Sequence, residues 1–207
     1  MGTTRPPHAH EALAALASRH SIGARMLASP APSDAQWAEA ARIAARAPDH
    51  GHLRPFRFVI VGDEHRARLS ELFAQDALRR GQSPADVERA RQRAYNGPGL
   101  AALIGRFREG VDDVPVQEQW MCCGAALMNF LNALHLVGFG AKAVSGPSVR
   151  DAAIRAAFCA EGETLLTWVI AGTTGQVPRA KRGDEGDVRI ESWVPPHGCL
   201  GTRAFDR

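Results

Sequence analysis

Two stretches of this 207-residue chain concentrate side chains able to do chemistry. The first, RAPDHGHLR at 46–54, puts Arg46, Asp49, His50, His52 and Arg54 where an alanine-rich helix breaks off and an apolar strand begins. The second, RHS at 19–21, sets a guanidinium fork, an imidazole and a hydroxyl in consecutive positions. Three uses compete for the first stretch: a metal site, an anion or cofactor cradle, or a polar loop. His50 and His52 could share a cation with Asp49 on an extended loop, but zinc wants a third or fourth ligand and no matching cluster stands nearby in sequence. Arg19, His20 and Ser21 can hold a phosphate by charge and hydrogen bonds. An ordinary polar helix end accounts for them equally well.

The common catalytic signatures are missing. GFGA at 138–141 follows a helix instead of a strand and lacks the third glycine of a dinucleotide loop, so it reads as a helix cap. There is no GxSxG, no phosphate-binding P-loop and no HExxH.

The elements that must position these groups follow from periodicity and breakers. HEALAALASRH has helical spacing at Leu13, Leu16 and Ala17 and loses it at SIGARMLASPAPS, which places Arg19–His20–Ser21 at a helix end. Ser33 with Gln36 forms a capping box for a second helix carrying Trp37, Ala40, Ala41 and Ala44 on one face, which stops before Pro48. Phe56–Val61 reads as a buried strand, Asp63 and Ser83–Pro84 open further helices, and LAALIGRF is a second strand. VQEQWMCCGAALMNFLNALHLVG is the longest helix, capped by Gly138 and apolar on more than one face, which suits the centre of the fold or a subunit interface. GPSVRDAAIRAAF reads as a short helix with Pro147 near its start, and LLTWVIAG as a third strand. From about 176 the chain is glycine-rich and charged, a tail expected to extend over the surface.

With 45% hydrophobic and 23% charged residues, the chain can bury one core, and residues 11–207 read as a single domain. Its 25 basic residues are interspersed with 22 acidic ones, for a net charge of +3, so no stripe for nucleic acid forms. Cys122, Cys123, Cys159 and Cys199 make no CxxC pair, which fits a reducing cytoplasm. Asn129, Asn132 and His135 interrupt the longest helix too often for a membrane span. Residues 1–10 are expected to form a loose leader.

Taken in order, SRHSIGARMLASPAPS, RAPDHGHLRPFRFVIVG, VQEQWMCCGAALMNFLNALHLVGFGAKAVSG and VIAGT resemble the FMN-dependent nitroreductases. The likeness covers roughly residues 11–175 and is nearest to the short bacterial YdjA-like NAD(P)H nitroreductase branch, with APDHGHLRP its most specific stretch. The resemblance implies an α+β sandwich, with a mainly antiparallel central sheet wrapped by helices, forming a homodimer with FMN at the subunit interface. It implies that Arg19, His20 and Ser21 hold the flavin phosphate and reach toward the ring. Arg46 and His50 would come from the partner subunit, and Ala143, Val144 and Ser145 would lie against the isoalloxazine. NADH or NADPH would reduce flavin N5, and a nitroaromatic, quinone or similar conjugated acceptor would be reduced in turn by a ping-pong scheme. No side chain is implied as a proton donor.

Two departures stand out. Where relatives usually carry a tryptophan, this chain has Ala143, which either opens space for a bulkier substrate or weakens cofactor retention. After Ser21, IGAR leaves Arg25 as the candidate for a basic residue of the family. The alternatives to a flavin enzyme are a flavin-binding or flavin-free binding protein of the same fold, and a zinc hydrolase built on DHGH.

Overall fold

A computed structural model describes residues 8–175 and Trp193. Its core is one antiparallel sheet of five strands, β1 (Leu27–Ala28), β2 (Phe56–Ile60), β3 (Gly99–Arg106), β4 (Phe139–Val144) and β5 (Glu163–Thr174). The twelve-residue β5 organises the sheet. Ala171 pairs with Gly99 of β3 and with Ala141 of β4, so those strands lie on opposite edges of β5, and β2 completes the sheet outside β3. β1 continues the β3 edge at Thr173 and Thr174, opposite Phe139 of β4.

Helices cover both faces. α3 (Asp63–Arg79), α4 (Pro84–Gln92) and α6 (Ala152–Phe158) pack on one side, where Leu69, Leu72, Phe73 and Val87 meet Leu100, Ile104 and Trp168. α2 (Asp34–Ala44) and α5 (Val116–Leu136) pack on the other, where Trp37 and Phe58 stack on Phe130, at ring-centroid distances of 5.7 and 4.0 Å. Alanines at 40, 44, 101, 126 and 171 line this second layer, so α2 and α5 sit close to the sheet.

The central strands are buried on both sides, as their unbroken apolar runs require. The register shifts between Leu103, opposite Thr167, and Ile104, opposite Leu165. That bulge adds one residue to β5 and reverses the alternation, which is why Leu165 and Trp168 both face the α3 layer.

Several local features agree with the sequence reading. Ser33 accepts from the Gln36 N–H while the Gln36 side chain accepts from the Ser33 N–H. Ser83 caps α4 with Pro84 at its start, and Gly138 follows α5 with φ of 94°, the left-handed backbone that glycine tolerates. One boundary needs correction. Pro147 opens a separate turn of 3₁₀ helix over Pro147–Arg150, and α6 starts only at Ala152, because the Asp151 carboxylate accepts the Ile154 N–H and resets the helix start. α1 (Ala9–Ser18) begins inside the stretch read as a leader. The tail from about 176, with Cys199, lies outside the described residues apart from Trp193.

Candidate functional site

The outer edge of β4 carries the most informative geometry. The chain leaving α1 passes through Arg19, His20 and Ser21 and is then stitched to β4 by the Ile22 N–H, which donates to the Ala141 carbonyl at 3.1 Å. Close approach here needs a glycine. A Cβ on Gly140 would stand 2.4 Å from Thr174 Cγ2 and 3.0 Å from Ile22 Cγ1 and Leu27 Cδ2.

Arg19 and His20 thereby enter a cavity of about 230 Å³, shared with Leu131, His135, Phe139 and Thr174. The Arg19 Nε–H and His20 Nε2 are buried there without a hydrogen-bond partner among the described residues. A buried polar atom left unpaired is costly, so both atoms call for a partner that the described residues do not supply. Ser21 is exposed and does not line that cavity.

The far end of β4 opens into a second cavity of about 300 Å³, lined by Val144, Ser145, Gly146, Asn96 and Trp168. The Ser145 hydroxyl donates to Thr167 Oγ1 at 2.8 Å, which ties this turn to β5. Asn96 also borders a third cavity of about 440 Å³ with Arg25, Tyr95 and Arg66, so this residue lines both spaces. Asn96 is held by its turn. Buried Arg66 donates to the Ala94 carbonyl at 2.6 Å and to the Pro98 carbonyl at 2.9 Å, and burial lowers the pKa of its guanidinium.

Ala143 lies between these ends but faces the other way. Its side chain packs against the α2 and α5 layer, while Val144 and Ser145 line the cavity. Alternation along a strand requires this. Position 143 therefore lies on the face of the sheet that carries Trp37, Phe58 and Phe130.

The loop at 46–54 is a separate construction. Asp49 accepts the Leu53 N–H at 3.1 Å and the Arg54 N–H at 2.9 Å, which holds His52 and Arg54 at positive φ around Gly51. Arg46 lines a cavity of about 600 Å³ with Asp49, His52, Arg54 and Phe58. His50 is exposed and donates from Nδ1 to Glu118 Oε2 at 2.8 Å. Within one chain, then, Arg19 and His20 come together, Val144 and Ser145 come together, and Arg46 and His50 stand apart from both.

Near this loop, burial pushes the Cys122 thiol up to about 11 and the Cys123 thiol to about 12, with Asp49 adding to both. Cys123 donates to the Pro55 carbonyl at 3.3 Å. Among the described residues no three His, Cys, Asp or Glu side chains gather as metal ligands. No helix among them is long and apolar enough to cross a membrane.

Asn96 escaped the sequence reading, which gave Asp49 only as a possible cation ligand and His135 only as a polar break in the longest helix. The turn-forming NGPG ahead of LAALIGRF marks a bend at Asn96, but nothing in the sequence says which cavity that bend borders.

Known proteins resemble this chain in sequence and in fold. YdjA of Escherichia coli strain K12, which carries an NAD(P)H nitroreductase name, is 32% identical over 164 residues, 79% of this chain and 88% of its own. The nitroreductase-like family protein from Bacillus cereus superposes with a TM-score of 0.65 at 17% identity, covering 92% of this chain and 95% of its own. The FMN-dependent nitroreductase NfnB from Mycobacterium smegmatis, solved with NADPH, superposes with a TM-score of 0.63 at 15% identity, covering 88% and 99%. Residues 16–173 match the nitroreductase family as a whole, and with its antiparallel sheet between two helical layers this chain belongs to that family.

Proposed function

We propose that the protein is an FMN-dependent NAD(P)H oxidoreductase that reduces nitroaromatics, quinones or similar conjugated acceptors. The observation that carries this reading is the pair of buried, unpartnered atoms at one end of β4, Arg19 Nε–H and His20 Nε2, with the Val144–Ser145 turn and Asn96 at the other. At about 3.3 Å per residue the strand separates the two ends by about 17 Å. A cofactor with a phosphate at one end and a planar ring at the other fits that polarity.

In this reading Arg19 and His20 hold the phosphate by charge-assisted hydrogen bonds, with Ser21 beside them. The turn of Ala143, Val144 and Ser145 supports the ring through its backbone, and Asn96 offers an amide to the ring edge. Bound FMN supplies hydride exchange between NADH or NADPH and the acceptor. Arg25, on the cavity shared through Asn96, favours negative charge near the ring electrostatically. No side chain is assigned as proton donor. Solvent reaches the cavities and can serve.

A homodimer completes the site in the same reading. Apolar side chains stand in water along α1 and α5, with Leu13 at 60% exposure and Met121 at 72%, joined by Trp120, Met128 and Leu136. Such a surface calls for a partner, and a second copy would bring Arg46 and His50 to the flavin. The unpaired Cys122, Cys123 and Cys159 agree with a reducing cytoplasm.

The test is FMN titration of the flavin-free protein by fluorescence quenching. Arg19→Ala removes a charge-assisted phosphate contact and is expected to weaken FMN binding by about 1.5 to 3 kcal/mol. Unchanged affinity would remove Arg19 from the site.

A further inference from the structure

His135 lies in the last turn of α5, and its imidazole reaches across to α1. Nε2–H points at the Ala15 carbonyl at 2.9 Å and the Ser18 hydroxyl at 3.0 Å, while Ser18 Oγ–H donates to the same Ala15 carbonyl at 2.8 Å. These partners form the end of α1, which stops at Ser18. α1 has need of such an anchor. None of its residues is buried among the described residues, so packing alone fixes it weakly.

The bonds continue into the site. The Ser18 carbonyl lies 3.0 Å from His20 Nδ1. A carbonyl only accepts, so Nδ1 carries a proton, and the buried, unpartnered Nε2 donates to a phosphate oxygen only when it carries one as well. Arg19, between Ser18 and His20, lines the same cavity as His135. One series of hydrogen bonds therefore runs from α5 through α1 to the ring of His20.

We propose that His135 is the positioning residue for the phosphate end of the site: it fixes the last turn of α1, and with it the direction of Arg19 and the tautomer of His20. This rests on the reading of that cavity as the place of the flavin phosphate. His135 acts through its neighbours and touches no reacting atom.

The experiment compares wild type, His135→Ala and His135→Gln. The glutamine amide nitrogen reaches about as far as imidazole Nε2 and can donate the same bonds. Flavin-free protein is followed by ¹⁵N NMR of the His20 ring, and FMN affinity by fluorescence titration. His135→Ala is expected to weaken FMN binding about tenfold, the scale of one net hydrogen bond. The single-tautomer pattern of His20 is expected to be lost in His135→Ala. His135→Gln is expected to restore both affinity and pattern.

Wild-type affinity and an unaltered His20 spectrum in His135→Ala would overturn the proposal alone. So would a loss of affinity that His135→Gln does not restore. A wild type that takes up no FMN, whatever its His20 spectrum, would overturn the cofactor reading as well.

Discussion

The Arg57 guanidinium donates to both oxygens of Glu163, from Nε at 2.8 Å and from Nη2 at 2.6 Å, joining β2 to the start of β5 across the intervening β3. Glu163 is buried, and this pairing, aided by the Ala160 N–H, holds its carboxyl down at about 2 against an ordinary 4.5. A depressed carboxylate pKa contributes stability that is full above pH 4.5 and is lost as the pH falls toward 2. Glu163→Gln is expected to cost about 1 to 3 kcal/mol at neutral pH, the worth of hydrogen bonds to a charged group. Urea denaturation across pH checks the sign. The difference from wild type should shrink as the pH drops from 4.5 toward 2, and a constant difference would mean that the ion pair contributes nothing.

Gly140→Ala tests the seam between the Arg19 segment and β4. The new methyl would meet Thr174 Cγ2 at 2.4 Å, and turning Thr174 aside still leaves Ile22 and Leu27 at 3.0 Å. Overpacking of this kind costs about 1 to 3 kcal/mol. Thermal melting should show the loss, and FMN affinity should fall as the segment shifts outward. Wild-type values for both would mean that the segment adjusts freely and is not held by β4.

Cys122 and Cys123 are expected to be inert in the folded protein. Their thiols are pushed up to about 11 and about 12, so almost no thiolate exists at neutral pH, and both are buried. Labelling with a thiol reagent followed by peptide mass mapping should modify neither until denaturant is added. Rapid modification of either at neutral pH would mean that the packing between α5 and the 46–54 loop opens in solution.

Local chemistry was readable from sequence wherever neighbours in the chain decide it. The Ser33–Gln36 capping box, the Ser83–Pro84 helix start and the Gly138 stop depend on residues a few positions apart, and all three stand in the structure. The apolar runs of β3 and β5 identified buried strands for the same reason. β4 was not readable. Its central residues Gly140, Ala141, Lys142 and Ala143 have little preference for strand, and pairing with β5 makes them one. Of the site, the grouping of Arg19 with His20 follows from adjacency. The roles of Asn96 and His135 depend on which turn meets which helix end, a property of packing that periodicity does not carry. Ala143 shows the converse: its identity was plain, but its orientation toward the aromatic layer needed the strand.

The visible absorption spectrum of the purified protein tests FMN-dependent turnover most directly. Yellow protein that bleaches when NADH or NADPH is added without oxygen, and regains its colour on addition of a nitroaromatic or a quinone, is the predicted result. Colourless protein that takes up no added FMN, or flavin that neither NADH nor NADPH bleaches, would contradict it.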